Sequence, residues 1–280
     1  MGNLLQIEKP LVSVNWLYQH KDATNLVVLD GTIPKVSQIN NSVENQIPAA
    51  LFFDIKKVFS IQGAAFPNTA IKPNDFEREA RKLGINKDSC IVVYDTHGIY
   101  SSPRVWWLFK SMGFNNIAVL DGGFPAWKKA NYPTEKKQNH MVEIGDFEVR
   151  YQPEKIVTSD VVLESVFNRN KQIVDARSSG RFHATELEPR KEIRSGHIPT
   201  STNLPFTSLL NNLEFKNQEE LKQEFQKINP ENKELIFSCG SGITACILAL
   251  GAEIAGFKEV SVYDGSWTEW GSLAHLPIEK

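Results

Sequence analysis

Cysteine is scarce in this chain. Its 280 residues contain three, Cys90, Cys239 and Cys246. An odd count without C-x-x-C spacing argues against a disulfide framework and against a cysteine zinc site, and it suits a reducing compartment. Net charge is also small: 31 Lys and Arg face 33 Asp and Glu, which leaves −2. Such a chain carries no bulk field to attract nucleic acid or an anionic membrane surface. No apolar run approaches the length of a membrane span, and Met1 to Pro10 lacks the basic-then-apolar pattern of a secretory signal. The histidines at 20, 97, 140, 183 and 275 are scattered, with none of the H-x-x-x-H spacing of a metal site. These absences set the expectations: a cytoplasmic, two-domain monomer with no metal, no cofactor, no nucleic-acid partner and no membrane partner.

What is present is a pattern written twice. Leu26-Val-Val-Leu-Asp30 and Ile173-Val-Asp175 are short apolar runs that end in aspartate. Ile91-Val-Val-Tyr-Asp95 matches Leu235-Ile-Phe-Ser-Cys239. Ile117-Ala-Val-Leu-Asp-Gly-Gly123 matches Val260-Ser-Val-Tyr-Asp-Gly-Ser266, and a tryptophan follows each aspartate by six residues, at Trp127 and Trp270. The offsets are 145, 144 and 143 residues. That period is far too long for a solenoid unit, so each copy is a whole domain. The expected division is a first domain over 1–138, a polar linker over 139–152 and a second domain over 153–280.

Within each copy, apolar strands without polar alternation imply a parallel sheet covered on both faces. Between them the spacing predicts helices over 73–83, 103–112, 219–228 and 244–255. The fold class is therefore α/β, two tandem open parallel sheets with helices on both faces. Ligands in such folds bind beyond the carboxyl ends of the strands.

Cys239 occupies that place. Leu235 to Phe237 reads as a buried strand, Gly240 and Gly242 bend the chain, and Thr244 opens a helix. The first N–H groups of a helix lack intrahelical partners and carry partial positive charge. A loop that curls them around a sulfur forms an anion nest, and thiols so placed become reactive thiolates. The plain alternative is a buried structural cysteine before a Gly-rich turn. Cysteine phosphatases and arsenate reductases place an arginine six residues after the cysteine to clamp an oxyanion. Here that position is Ala245, which argues against phosphate chemistry.

The loop Cys239-Gly-Ser-Gly-Ile-Thr244, the segment Gly196-His-Ile-Pro199, Asp121-Gly-Gly-Phe-Pro-Ala-Trp127 and Ser102-Pro-Arg-Val-Trp-Trp107 together carry a resemblance. The chain resembles the two-domain rhodanese-type sulfurtransferases over nearly its whole length, and among them the members that use 3-mercaptopyruvate. The resemblance implies that the second domain carries the nucleophile, Cys239. The first domain, with Asp95 in its place, is then a catalytically silent scaffold. It implies a Cys239 persulfide made from a small-molecule sulfur donor, cradled by Gly240, Gly242, Ile243 and Thr244. The sulfur then passes to a small thiol, a thioredoxin-like protein or cyanide.

Relatives that favour thiosulfate typically carry basic residues after the cysteine, whereas this chain has the neutral Gly240 and Ser241. Ser241 has two readings, a hydrogen-bond or proton-transfer partner of the sulfur or a turn residue. Arg181 and Arg190 match a nine-residue pair that binds the substrate's carboxylate and carbonyl in mercaptopyruvate-specific relatives. A planar guanidinium suits that task. Asp54 matches an acidic residue near the site, with a helix-cap or ion-pair role as its alternative. Relatives commonly hold a histidine where Asn68 falls here, which puts a Ser-His-Asp relay in doubt. Asp175, Arg177 and His197 recur as a structural network at the strand ends. Thiosulfate:cyanide sulfur transfer and a non-enzymatic persulfide carrier or interaction module are the rival functions.

Overall fold

The computed structural model describes residues 4–34 and 44–280. Met1 to Asn3, part of the stretch read above for a signal, lie outside the described residues, as do residues 35–43. The chain forms two compact units. One comprises Met1–Ile61, Ala70–Gln152 and Asn212–Phe215, and the other Gln62–Thr69, Pro153–Asn211 and Lys216–Lys280.

The first unit holds a five-stranded parallel sheet. Its strands run, in spatial order, Leu51–Phe52, Leu26–Asp30, Cys90–Tyr94, Ile117–Leu120 and Leu11–Val12. Alternate residues of the central strands serve opposite faces. Val92 and Tyr94 pack with Leu17, Phe124 and Trp127. On the other side Val93 points toward Val105 of the Ser102–Ser111 helix. The predicted helix over 73–83 is observed as Pro73–Lys82. Its Phe76 joins Phe53, Phe59, Phe109 and Phe147 in a buried aromatic cluster.

The polar stretch after Gly145 is more ordered than its composition suggests. Gly145 N bonds Arg81 O, Phe147 N bonds Ile85 O and Arg150 N bonds Met112 O. Phe147 is fully buried, and one aromatic ring is the anchor that a composition-based linker reading overlooks.

The second unit repeats the plan. Its strands run Thr202–Asn203, Lys171–Asp175, Glu234–Ser238, Val260–Tyr263 and Ile156–Val157, all parallel. Each corresponds to the strand in the same spatial position of the first unit, and this is the internal repeat seen as topology. One face packs Ile173, Ile236 and Tyr263 against Trp267 and Trp270. On the other, Phe237 meets Phe225 of the Gln218–Ile228 helix. The helix after the cysteine loop, Ala245–Ala255, is apolar nearly all round and correspondingly buried, and it stops at the left-handed Gly256. The four tryptophans read as core, Trp106, Trp107, Trp127 and Trp270, are all buried.

Candidate active site

Cys239 is the first residue after the central Glu234–Ser238 strand, and five residues separate it from the start of the Ala245–Ala255 helix. The loop between them turns at Gly242, whose φ of +77° is a backbone state that residues with a Cβ rarely adopt. Cys239 itself is 1% exposed.

The first unit shows what this loop shape binds. At the corresponding strand end Asp95 is fully buried. Its Oδ2 accepts from the amides of Tyr100, Ser101 and Ser102, each at 2.9 Å, and from Ser102 Oγ at 2.7 Å. Its Oδ1 accepts from His97 N at 2.9 Å. A carboxylate taking that many donors marks the loop as an anion nest. The loop of the second unit is one residue shorter, and counted from the helix starts at Ser102 and Ala245 the places of those three amides are taken by Ile243, Thr244 and Ala245. None of them bonds an oxygen or nitrogen acceptor among the described residues. The first unit fills its nest with its own side chain, whereas in the second a cysteine stands at the corresponding strand end.

Ser241 is met by Asn68, which belongs to the same unit. Asn68 Nδ2 donates to Ser241 O at 3.0 Å and to Ser241 Oγ at 3.1 Å. The side-chain bond occupies the hydroxyl oxygen as an acceptor and leaves its proton to be donated elsewhere. Asn68 thus orients the serine without being able to take a proton from it.

Both expected arginines reach the loop region. Arg181 sits on the short Ser179–Phe182 helix. A Cβ on Gly240 would lie 3.3 Å from Arg181 Nη2, so the absence of a side chain there is what lets the guanidinium lie against the loop backbone. Arg190 is exposed and donates from Nη1 to Thr268 Oγ1 at 2.9 Å. Thr268 Oγ1 in turn donates to Gly240 O at 2.6 Å.

Three participants escaped the sequence reading. Glu188 is buried and accepts from Arg181 Nη2 at 2.6 Å and from Arg177 Nη1 at 2.7 Å, so Arg181 already has a counter-ion. The signal available was only its position between two basic residues. Thr268 links Arg190 to the loop. Ser266 lies fully buried beside Cys239, with its Oγ 3.8 Å from Sγ. The expected strand-end network is present: Arg177 pairs with Asp175 and bonds Gly196 O, while His197 Nδ1 lies 3.0 Å from Phe182 O.

Asp54 lies in the first unit, where Oδ1 accepts from Lys56 N and Lys57 N at 3.1 and 2.9 Å and so holds a turn. Cys90 is buried in a strand, and burial pushes its thiol up to about 11. Cys246 packs within its helix and donates to Gly242 O. Among the described residues no group of three or more His, Cys, Asp or Glu could hold a metal ion, and no helix is long and apolar enough to cross a membrane.

Two copies of one open parallel sheet, with a cysteine nest at the central strand end of one copy, define a tandem-domain α/β protein built around a single thiol. The chain belongs to the rhodanese family: the rhodanese-like domain model matches residues 13–130 and 159–273. It is 38% identical to mouse 3-mercaptopyruvate sulfurtransferase, in an alignment covering 95% of this chain and 93% of that one. It is 36% identical to Arabidopsis thaliana thiosulfate/3-mercaptopyruvate sulfurtransferase 1, mitochondrial, over 97% of this chain and 78% of that one. The crystal structure of Escherichia coli SseA, described with the 3-mercaptopyruvate sulfotransferases, superposes with a TM-score of 0.83 at 31% identity, covering 92% of this chain and 99% of that one.

Proposed function

We propose that the protein is a sulfurtransferase that takes sulfur from 3-mercaptopyruvate onto Cys239 and passes it to a thiol or cyanide. The observation that carries the reading is the pair of nests. Three amides bind a carboxylate in one copy, and their counterparts at the helix start meet no oxygen or nitrogen acceptor among the described residues in the loop that carries Cys239. A thiolate and then a persulfide are anions of the kind such donors stabilise.

In the first half-reaction the Cys239 thiolate attacks the sulfur of mercaptopyruvate. A sulfur–sulfur bond forms, the carbon–sulfur bond breaks, and its electron pair leaves on carbon as the enolate of pyruvate. The donor's thiol proton ends on that carbon, and Cys239 keeps an anionic persulfide. In the second, an acceptor thiolate attacks the outer sulfur and returns Cys239 to its starting form, so ping-pong kinetics are expected. Ser241, its oxygen held by Asn68, would offer its proton to the sulfur chemistry two residues away in the loop. Arg181 and Arg190 bind the keto-acid's carboxylate and carbonyl. Among the described residues the Arg190 guanidinium makes a single hydrogen bond, and Arg181 Nη1 makes none. No step calls for a metal or an organic cofactor.

Thiosulfate is the second donor to consider, because the Arabidopsis relative carries both donors in its name. The neutral Gly240 and Ser241 favour the keto acid. The deciding experiment is kcat/KM for each donor with cyanide as acceptor. The reading expects mercaptopyruvate to be preferred, and a clear preference for thiosulfate would overturn the donor assignment. A cytoplasmic monomer serving a small thiol or a thioredoxin-like acceptor completes the proposal.

A further inference from the structure

One difference between the two copies bears on how the cysteine is held. In both units the residue two places after the aspartate that follows the fourth strand has positive φ: +53° at Gly123 and +48° at Ser266. In both, the next amide bonds the carbonyl of the nest residue, Phe124 N to Asp95 O at 3.1 Å and Trp267 N to Cys239 O at 2.9 Å. Glycine accepts this backbone conformation at no steric cost, and serine does not. In the first unit a side chain is also excluded by space, since a Cβ on Gly123 would lie 2.5 Å from both Asp95 O and Gly98 O. The second unit makes room for a side chain at the equivalent position and tolerates the strained backbone. Strain of this kind persists where the surroundings over-determine it, and it collects at functional sites.

What the serine adds is closure of the loop. Ser266 Oγ accepts from Cys239 N at 3.1 Å and from Gly242 N at 3.2 Å, while its own proton goes to Tyr263 O at 2.8 Å. It therefore ties both ends of the Cys239–Gly242 turn to one fixed, fully buried oxygen. In the first unit this work belongs to the nest residue itself, because Asp95 draws its loop together through its carboxylate oxygens. A cysteine sulfur accepts hydrogen bonds too weakly to do the same, and it must remain available to the donor.

We infer that Ser266 is a positioning residue for Cys239: its hydroxyl takes over the loop-closing task that the Asp95 carboxylate performs in the silent copy. The amides of Ile243, Thr244 and Ala245 are thereby held in place for the sulfur anion. The inference rests on Cys239 being the reacting group. It does not depend on which donor the protein uses.

The test replaces the hydroxyl in two ways. Ser266→Gly restores the residue of the silent copy and relieves the backbone. Ser266→Ala removes only the oxygen. The readout is the rate of Cys239 alkylation by iodoacetamide as a function of pH, with no donor present, in protein whose Cys90 and Cys246 are confirmed unmodified by mass spectrometry. The charged groups packed around the loop stay constant: Arg181 with Glu188, Arg177 with Asp175 beneath Trp267, Arg190 through Thr268, Asp264, and Glu269 beside Gly265.

The expected result is that either variant slows Cys239 alkylation at neutral pH about tenfold, as loosening the loop amides that face a sulfur anion predicts. It should also lower kcat for sulfur transfer about tenfold or more, with KM for the donor little changed. An alkylation rate and a kcat within twofold of wild type in either variant would overturn the inference. In the wild type, slow deuterium exchange is expected at the Cys239 and Gly242 amides, and fast exchange at both would refute it even if neither variant folds. Slowed alkylation of the variants in a protein that transfers no sulfur would leave this inference standing and remove the functional proposal instead.

Discussion

Arg181 and Arg190 are proposed to share one substrate, yet they differ in what else they hold, and this separates binding from stability. Arg190 is exposed, and among the described residues its guanidinium makes one hydrogen bond, to Thr268. Arg190→Ala should therefore cost substrate contacts and that single neutral partner. A charged hydrogen bond contributes about 1.5 to 3 kcal/mol, so kcat/KM for mercaptopyruvate should fall roughly tenfold to a hundredfold. Most of that loss should appear in KM, and the melting temperature should not change. Arg181→Ala should match that kinetic loss and add a second effect.

Arg181 bonds Glu188 through Nε and Nη2 at 3.2 and 2.6 Å, and the Glu188 side chain is 3% exposed. Truncation leaves that carboxylate with Arg177 alone, and a buried charge that loses one partner costs about 1 to 3 kcal/mol of stability. Adding Glu188→Gln to Arg181→Ala should recover much of the lost melting temperature and none of the kcat/KM. Steady-state kinetics and thermal unfolding on the four proteins make the assay. Unchanged kinetics in both arginine variants would refute the carboxylate site. An equal loss of melting temperature in both would refute the assignment of Glu188 as counter-ion to Arg181.

Two further outcomes test the surroundings. Asn68→His places a titratable ring where the Ser241 hydroxyl is now held, so kcat should gain a rise with pH centred at about 6.5 that the wild type lacks; superimposable profiles would show that Ser241 is not part of the proton path. Asp121 is half-buried in the first unit, where its carboxylate accepts from Phe215 N, and desolvation pushes it up to about 6. A carboxyl with its folded pKa raised favours the folded state at low pH and loses that contribution as pH rises through about 6. Wild-type stability in urea should then fall between pH 4 and 6 relative to Asp121→Asn, and parallel curves would contradict this.

The central elements were legible because each combines an apolar run with a chemically marked end. Leu26–Asp30 and the strand before Cys239 are bounded by residues that differ sharply from the run, and their repetition at a nearly constant offset made the duplication visible. The edge strands Leu11–Val12, Leu51–Phe52, Ile156–Val157 and Thr202–Asn203 span two residues each, too short for any periodicity to register.

Cys239 announced itself by its place between a strand and a glycine turn. Glu188 did not, because a counter-ion is defined by the fold and not by its neighbours in sequence. Ser266 had a signal of a different kind. It stands opposite Gly123 in the repeat, so a glycine position gained a hydroxyl only in the copy that carries the cysteine. Its meaning required the hydrogen bonds to Cys239 and Gly242.

The measurement closest to the central claim is the intact mass of the protein, and of Cys239→Ser, after brief exposure to 3-mercaptopyruvate without acceptor. Wild-type protein should gain one sulfur atom, map it to the peptide containing Cys239, and lose it on addition of cyanide, while Cys239→Ser stays unmodified. No gain on the wild type, or an equal gain on Cys239→Ser, would contradict sulfur transfer through Cys239.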